Sequence, residues 1–311
     1  MTTDSTIPQG DDNLRATGFM VLSMAFFATE DFFIKRVTAE MPVSQMLFLI
    51  CSTTAAILAL LCLRKGLPLV TRDVLGPQVM GRNFCEAFAT ISFVTALSLV
   101  PLTLATAIQQ ATPLLVTAGA AIWLGETVGW RRWTAVAIGM AGVLLILRPG
   151  LEGFQPEALL VIVAAIGLAA RDVISRRIPS RIATLQLAFW AYVALTIGTG
   201  LLWMIRSATT MPGLATWLYL GAATALGVIG YLSLTTATRL GHVSTVIPFR
   251  YTRLVFALIL GMVFLGERPD ALTLVGAAIV VGSGLYALMR ERRRKRAEGR
   301  PMRPRGRSLM R

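Results

Sequence analysis

The sequence predicts an all-α integral membrane protein, with ten transmembrane helices in two inverted five-helix repeats. Three observations carry this. The 311 residues are 55% hydrophobic and only 15% charged, whereas a soluble domain carries about 25% charged residues. Ten apolar runs of bilayer-spanning length follow one another with short corners between them. The chain also matches itself at a single offset of 141 residues: Leu124-Gly125-Glu126 with Leu265-Gly266-Glu267, Asp31, Lys35 and Arg36 with Asp172, Arg176 and Arg177, and Thr95-Ala96 with Thr236-Ala237.

The runs are bounded by turn formers and charges. The first, 17–36, follows an acidic segment and ends on Lys35-Arg36. The second, 43–63, starts after Pro42 and stops at Arg64-Lys65. The third, 77–99, begins at Pro77 and reaches Val100-Pro101, a corner that leads straight into the fourth, 102–124. The fifth, 132–148, lies between the Trp130–Arg132 corner and Pro149-Gly150. The sixth, 157–175, follows Pro156 and ends before Arg176-Arg177. The seventh, 183–204, precedes Arg206. The eighth, 214–238, starts after Gly213 and ends before Arg239. The ninth, 243–265, closes on Leu265-Gly266-Glu267. The tenth, 271–289, follows Pro269-Asp270. The expected organisation is a tail at 1–16, a first repeat at 17–148, a linker at 149–156, a second repeat at 157–289 and a polybasic tail at 290–311.

The net charge of +14 is mostly a matter of topology. Residues 290–311 hold eleven of the 30 basic residues against Glu291 and Glu298. Placing both termini in the cytoplasm puts Arg15, Arg64, Lys65, Arg72, Arg131, Arg132, Arg176, Arg177, Arg181, Arg239 and the tail inside. It leaves Lys35, Arg36, Arg148, Arg206 and Arg268 outside, as the positive-inside rule requires. The tail lacks aromatic residues, so nucleic-acid binding is not expected. It is either a solvated orienting segment or a contact to anionic lipid headgroups. Trp130, Trp133, Trp203 and Trp217 fall at span ends as interfacial anchors.

Other chemistry is missing. Cys51, Cys62 and Cys85 form no C-x-x-C pair. His242 is the single histidine and falls in a loop, so no metal site or cofactor is expected. There is no Walker A or H-E-x-x-H motif, and no enzyme activity is expected. The acidic N-terminus (Asp4, Asp11, Asp12) does not read as a signal peptide.

Five spans per repeat is an odd number, so the halves have opposite membrane orientation. Inverted repeats with a site near the midplane are the signature of secondary transporters. The segment Ala96–Leu102 (Ala-Leu-Ser-Leu-Val-Pro-Leu), then Ala111–Leu115 (Ala-Thr-Pro-Leu-Leu), Leu124-Gly125-Glu126 and a Gly-rich span closing on Leu147-Arg148-Pro149-Gly150 resembles the EamA branch of the drug/metabolite transporter superfamily. The second copy, Leu265 to Arg290, is similar. The resemblance covers residues 17–290 and implies ten helices in two inverted repeats that move small organic solutes. Two departures stand out. Ile50 and Cys51 occupy a region where the family often has Arg, and Leu254 stands at the repeat equivalent of Pro113.

The resemblance implies a bacterial inner-membrane carrier, monomeric or homodimeric. Riboflavin import is the first expectation and S-adenosylmethionine import the second. Export of amino acids or drugs is the alternative. An integral membrane enzyme without transport is the reading from a different class.

Charges inside spans cost about 2.5–3.5 kcal/mol each on insertion scales, so they mark pairs or wet cavities. Asp31 with Lys35, and Asp172 with Arg176, stand at i,i+4 and are expected to form local salt bridges that either hold helix ends or serve as alternating gates and coupling groups. Glu30 has Ile34 at i+4 and is expected to face the site. Its repeat equivalent is Arg171. Arg250, Tyr251 and Arg253 lie on the ninth span. Arg253 serves either as a structural partner of Glu30 or Glu86, or as a fork for an anionic or carbonyl group. Gln109 and Gln110 supply neutral hydrogen bonding at mid-depth. Trp190 adds an aromatic face. Arg82 and Glu86 form a third i,i+4 pair. Pro113 and Pro248 interrupt helices that line a cavity or merely kink there.

Overall fold

The computed structural model describes residues 9–126, 128–179, 181–240 and 246–298, without the side chains of 9–12, 239 and 291–298. His242 and the end of the basic tail therefore lie outside the described residues. Among those described there is no strand, and eight helices are long and apolar enough to cross a membrane. The chain is thus an all-helical, multi-pass membrane protein.

The helices are α1 (Gln9–Val37), α2 (Val43–Arg64), α3 (Pro77–Leu99), α4 (Leu102–Gln109), α5 (Thr112–Trp123), α6 (Trp130–Leu147), α7 (Leu159–Ser175), α8 (Thr184–Arg206), α9 (Leu214–Leu240), α10 (Thr252–Phe264) and α11 (Ala271–Glu298). The third predicted span is α3. It carries Arg82 and Glu86 and is not among those eight helices. The fourth predicted span is divided. α4 ends at Gln109 and α5 starts at Thr112, with Pro113 in its first turn, because proline removes a donor the continuous helix would need. The ninth is a 3-10 turn, Ile247–Tyr251, that leads into α10.

The pairing of helices puts distant segments together. α1 packs along α9, α3 along α7, α2 along α8 and α6 along α11. Small residues allow the closest crossings, as is usual where lipid supplies no hydrophobic drive between helices. A Cβ on Gly142 would stand 2.9 Å from the Gly276 carbonyl oxygen, and one on Gly276 only 2.8 Å from that of Gly142. On the α1–α9 seam, Gly230 lies under Phe27, and Ser23 Oγ donates to its carbonyl at 2.7 Å.

Both Leu-Gly-Glu segments form the same corner. Gly125 and Gly266 each have φ +66°, the left-handed conformation that ends a helix cheaply in glycine. Glu126 N–H returns to Ala120 O (3.3 Å) and Glu267 N–H to Gly261 O (3.0 Å).

Side-chain ties sort the corners onto two ends of the bundle. At one end, Gln45 bridges Thr210 through both its amide atoms, and Arg148 binds Asp270. At the other, Arg181 holds Asp73 through two bonds of 2.6 and 2.7 Å. Gln186 donates to Pro68 O, and Arg177 donates to Trp123 O. The predicted outer anchor Trp203 donates to Ala208 O and Thr209 Oγ1 at its span end, and Trp130 is 70% exposed under Arg131.

Candidate functional site

A cavity of about 860 Å³ lies between the halves, within the range that holds a metabolite-sized ligand. Its inner wall is made by the two helix interruptions. Thr106, Gln109 and Gln110 come from the α4–α5 break, and Arg250 and Arg253 from the 3-10 turn and start of α10. Gln110 Nε2 donates to Tyr251 O at 3.3 Å, so the breaks touch. The mouth carries Gly125, Glu126 and Arg176, with Glu126 exposed. The wall between contains Arg171 and Asp172 of α7 and Arg132 of α6.

Two ion-pair systems organise the interior. Arg253 binds Asp31 Oδ2 with Nη2 at 2.6 Å and Nε at 3.1 Å, joining α10 to α1. Its guanidinium also sits over Phe27 and Phe93, at 5.5 and 6.0 Å from the ring centres, an arrangement that suits a planar cation. On the other side, Arg82 binds Glu86 at 2.6 Å, and Glu86 binds Arg171 at 2.6 Å. Arg171 in turn binds Asp172 Oδ1. This chain joins α3 to α7.

Several expectations are corrected here. Asp31 does not bridge to Lys35. It is 3% exposed and takes the two-pronged fork of Arg253 from another helix. Lys35 Nζ instead donates to the Leu97 and Val100 carbonyls at 2.9 and 2.6 Å, capping the end of α3. Asp172 does not bridge to Arg176, because Arg171 takes it and Arg176 binds Glu126 at 2.5 Å. Arg253 is paired, but with Asp31 rather than Glu30 or Glu86. Glu30 does not line the cavity. Its carboxylate lies over Gly227 on α9, where a Cβ would be 2.5 Å from Oε1. Trp190 is also outside the cavity, its indole N–H donating to Leu69 O at 2.7 Å. Tyr251 is 5% exposed, its ring against Gly284. Gln109, Gln110, Arg171, Asp172, Arg176, Arg250 and Arg253 do share the cavity, and Glu86 stands behind it.

Sequence reasoning missed three residues. Arg132 counted as a loop charge, yet it is 8% exposed and lines the cavity. Thr106, buried and lining the cavity, carries no charge or motif that marks it in the sequence. Glu267 served only to align the repeats. Its carboxylate accepts the backbone N–H groups of Leu102 (2.6 Å) and Thr103 (2.9 Å), capping the start of α4. The recurrence of Leu-Gly-Glu was the available signal. Among the described residues, no group of His, Cys, Asp and Glu is placed to hold a metal ion.

The model of the EamA-like transporter family matches residues 14–148 and 155–289. The chain belongs to the EamA-like transporter family. It is therefore a membrane-embedded transporter of a small-molecule substrate. An S-adenosylmethionine uptake transporter of Rickettsia bellii is 29% identical over 215 residues, 68% of this chain and 72% of that one. A riboflavin transporter of Rhizobium johnstonii is 30% identical over 216 residues, 69% and 71% of the two chains. A pseudopaline exporter of Pseudomonas aeruginosa is 25% identical over 264 residues, 84% and 91%. A solved crystal structure, 21% identical, superposes with a TM-score of 0.61 over 88% of this chain and 98% of that one, a likeness in fold alone.

Proposed function

We propose that this EamA transporter is a ten-helix, inverted-repeat carrier of the bacterial inner membrane. It imports a small organic metabolite by alternating access, with both termini cytoplasmic. Residues 17–148 and 157–289 are the two repeats, joined by 149–156. The observation that carries the reading is a pair of equivalent ties, one at each end of the bundle. Arg36 donates to Phe264 O at one end, and Arg177 to Trp123 O at the other. Each residue is related to its counterpart by 141 positions. Lys35 and Glu267 stand at the first end as Arg176 and Glu126 stand at the second. Gln110 and Tyr251, which hydrogen-bond to each other, are themselves counterparts at that offset. A two-fold axis in the membrane plane produces such reciprocity.

The ends differ in state. At the Lys35 end, Glu267 and Lys35 are committed to the α3–α4 corner, and neither lines the 860 Å³ cavity. At the Glu126 end the cavity is open. Arg64, Lys65, Arg72, Arg131, Arg176, Arg177 and Arg181 cluster there, so the positive-inside rule makes it cytoplasmic. The described conformation is inward-open. Closing the Glu126 end while releasing the Glu267 cap turns the cavity outward. No chemistry beyond binding and this exchange is needed.

The relatives' named substrates make S-adenosylmethionine and riboflavin the solutes to test. Purified protein in proteoliposomes is expected to take up at least one of them, labelled, with acceleration when the same solute is preloaded inside. Growth rescue of a riboflavin-auxotrophic bacterium at low external vitamin is the cellular check on the second. Flux of neither solute, from protein confirmed in the membrane, refutes the import reading.

A further inference from the structure

Charge around the cavity does not close in pairs. Arg253 is matched by Asp31, Arg171 by Glu86 and Asp172, and Arg176 by Glu126. Arg132 has a partner of its own. Arg250 lines the same cavity and has no hydrogen bond or ion pair to any described residue. Its strongest electrostatic neighbours, Asp172 and Arg171, are already bonded to each other. A guanidinium in a membrane interior is stable with a carboxylate across its fork, and none of the described groups supplies one.

A complementary deficit lies on the adjoining break. Gln109 Oε1 and Thr106 Oγ1 are buried without a hydrogen-bond partner, and both residues line the cavity. They stand on the α4 side of the contact that Gln110 makes with Tyr251, the residue after Arg250. Buried acceptors left unpaired are costly, and a donor from a ligand relieves that cost. One break thus lacks an anion and the break it touches lacks N–H donors.

We propose that Arg250 and Gln109, with Thr106, anchor the amino-acid group of the substrate. The Arg250 guanidinium takes the carboxylate, and the Gln109 and Thr106 oxygens take the ammonium. The carrier therefore selects amino-carboxylate metabolites over uncharged ones. This rests on the carrier reading above and sharpens it, because S-adenosylmethionine carries such a group and riboflavin has neither a carboxylate nor an ammonium.

The test uses the full-length protein in proteoliposomes with three probes: S-adenosylmethionine, its decarboxylated analogue and riboflavin. The wild type is expected to prefer S-adenosylmethionine over the decarboxylated analogue by at least about tenfold in uptake KM, the scale of one charge-assisted hydrogen bond. Arg250→Gln is expected to abolish that preference by weakening S-adenosylmethionine alone. Arg250→Lys, which keeps the charge but not the fork, is expected to retain part of it. Elution as a single species in detergent checks that each variant folds. Equal handling of the two analogues by the wild type, or equal weakening of both by Arg250→Gln, overturns the proposal. Uptake of riboflavin without S-adenosylmethionine also overturns it and leaves the carrier reading standing. Uptake of none of the three overturns both.

Discussion

Asp31 shows how a buried charge chooses its partner. Spacing along one helix offers it Lys35, a single ammonium four residues on. The fold offers Arg253, whose planar fork reaches one carboxylate oxygen from two nitrogens and satisfies more of a desolvated group. Lys35 is then free to cap α3. Arg253→Ala is expected to leave Asp31 buried without its cation and to cost about 3 kcal/mol of stability. That is read as a lower unfolding midpoint in detergent, with the double variant Asp31→Asn, Arg253→Gln recovering most of the loss. Asp270 is a second case, outside the spans. Its hydrogen bonds from the Arg148 guanidinium and the Thr273 backbone N–H pull its pKa down to about 2. A folded value below the unfolded one, about 3.9, means the stabilisation is complete above that value and is lost as pH falls toward 2. The wild type is therefore expected to lose more thermal stability than Asp270→Asn between pH 5 and pH 2. Equal losses would show that the pair does not matter. Both residues were visible in the sequence, but their partners were not, since those lie 222 and 122 positions away.

At the scale of elements, the helices were largely legible and their interruptions only in part. Runs bounded by Pro, Gly and Arg gave the starts of α2, α3, α9 and α11 at the residues where the structure begins them. Pro113 marked the α4–α5 break, because a missing N–H is a local matter that sequence states directly. The role of Leu-Gly-Glu needed the fold. Gly125 and Gly266 make the turns, but the use of Glu267 depends on the start of α4 being 165 residues away in sequence and adjacent in space. Loss of a helix cap costs about 1 kcal/mol, which shifts a two-state balance about fivefold. In a background lacking Cys51, Cys62 and Cys85, a Thr106→Cys reporter is expected to react with an impermeant maleimide mainly from the Glu126 side. Adding Glu267→Ala should raise labelling from the opposite side about fivefold. Unchanged labelling would detach Glu267 from gating. The α6–α11 crossing gives a further prediction. Gly276→Val must push against the Gly142 carbonyl and Ile146, both within 2.8 Å of a new Cβ, and is expected to lower the unfolding midpoint, while Gly282→Val, with open space around it, should leave it near the wild-type value.

For the whole molecule, charge sets orientation and pairing sets the site. In the proposed topology the basic residues of the Glu126 end and the tail face the cytoplasm. A phosphatase fused after Arg311, active only in the periplasm, is expected to be inactive, and activity would invert the proposed topology. The sequence by itself determined the membrane class, the apolar runs, the repeat at 141 and part of the cavity's polar set, Gln109, Gln110, Arg171, Asp172, Arg176, Arg250 and Arg253. Those follow from local hydropathy, turn chemistry and self-similarity, which need no third dimension. Only the tertiary structure decided which polar residues neutralise one another and which are left over. Pairing inside a membrane is a competition among every charge within reach, and reach is set by how helices cross. That competition removed Glu30 and Trp190 from the cavity, gave Asp31 and Asp172 to arginines rather than to the cations four residues on, and left Arg250 facing the cavity without a hydrogen bond or ion pair to a described residue.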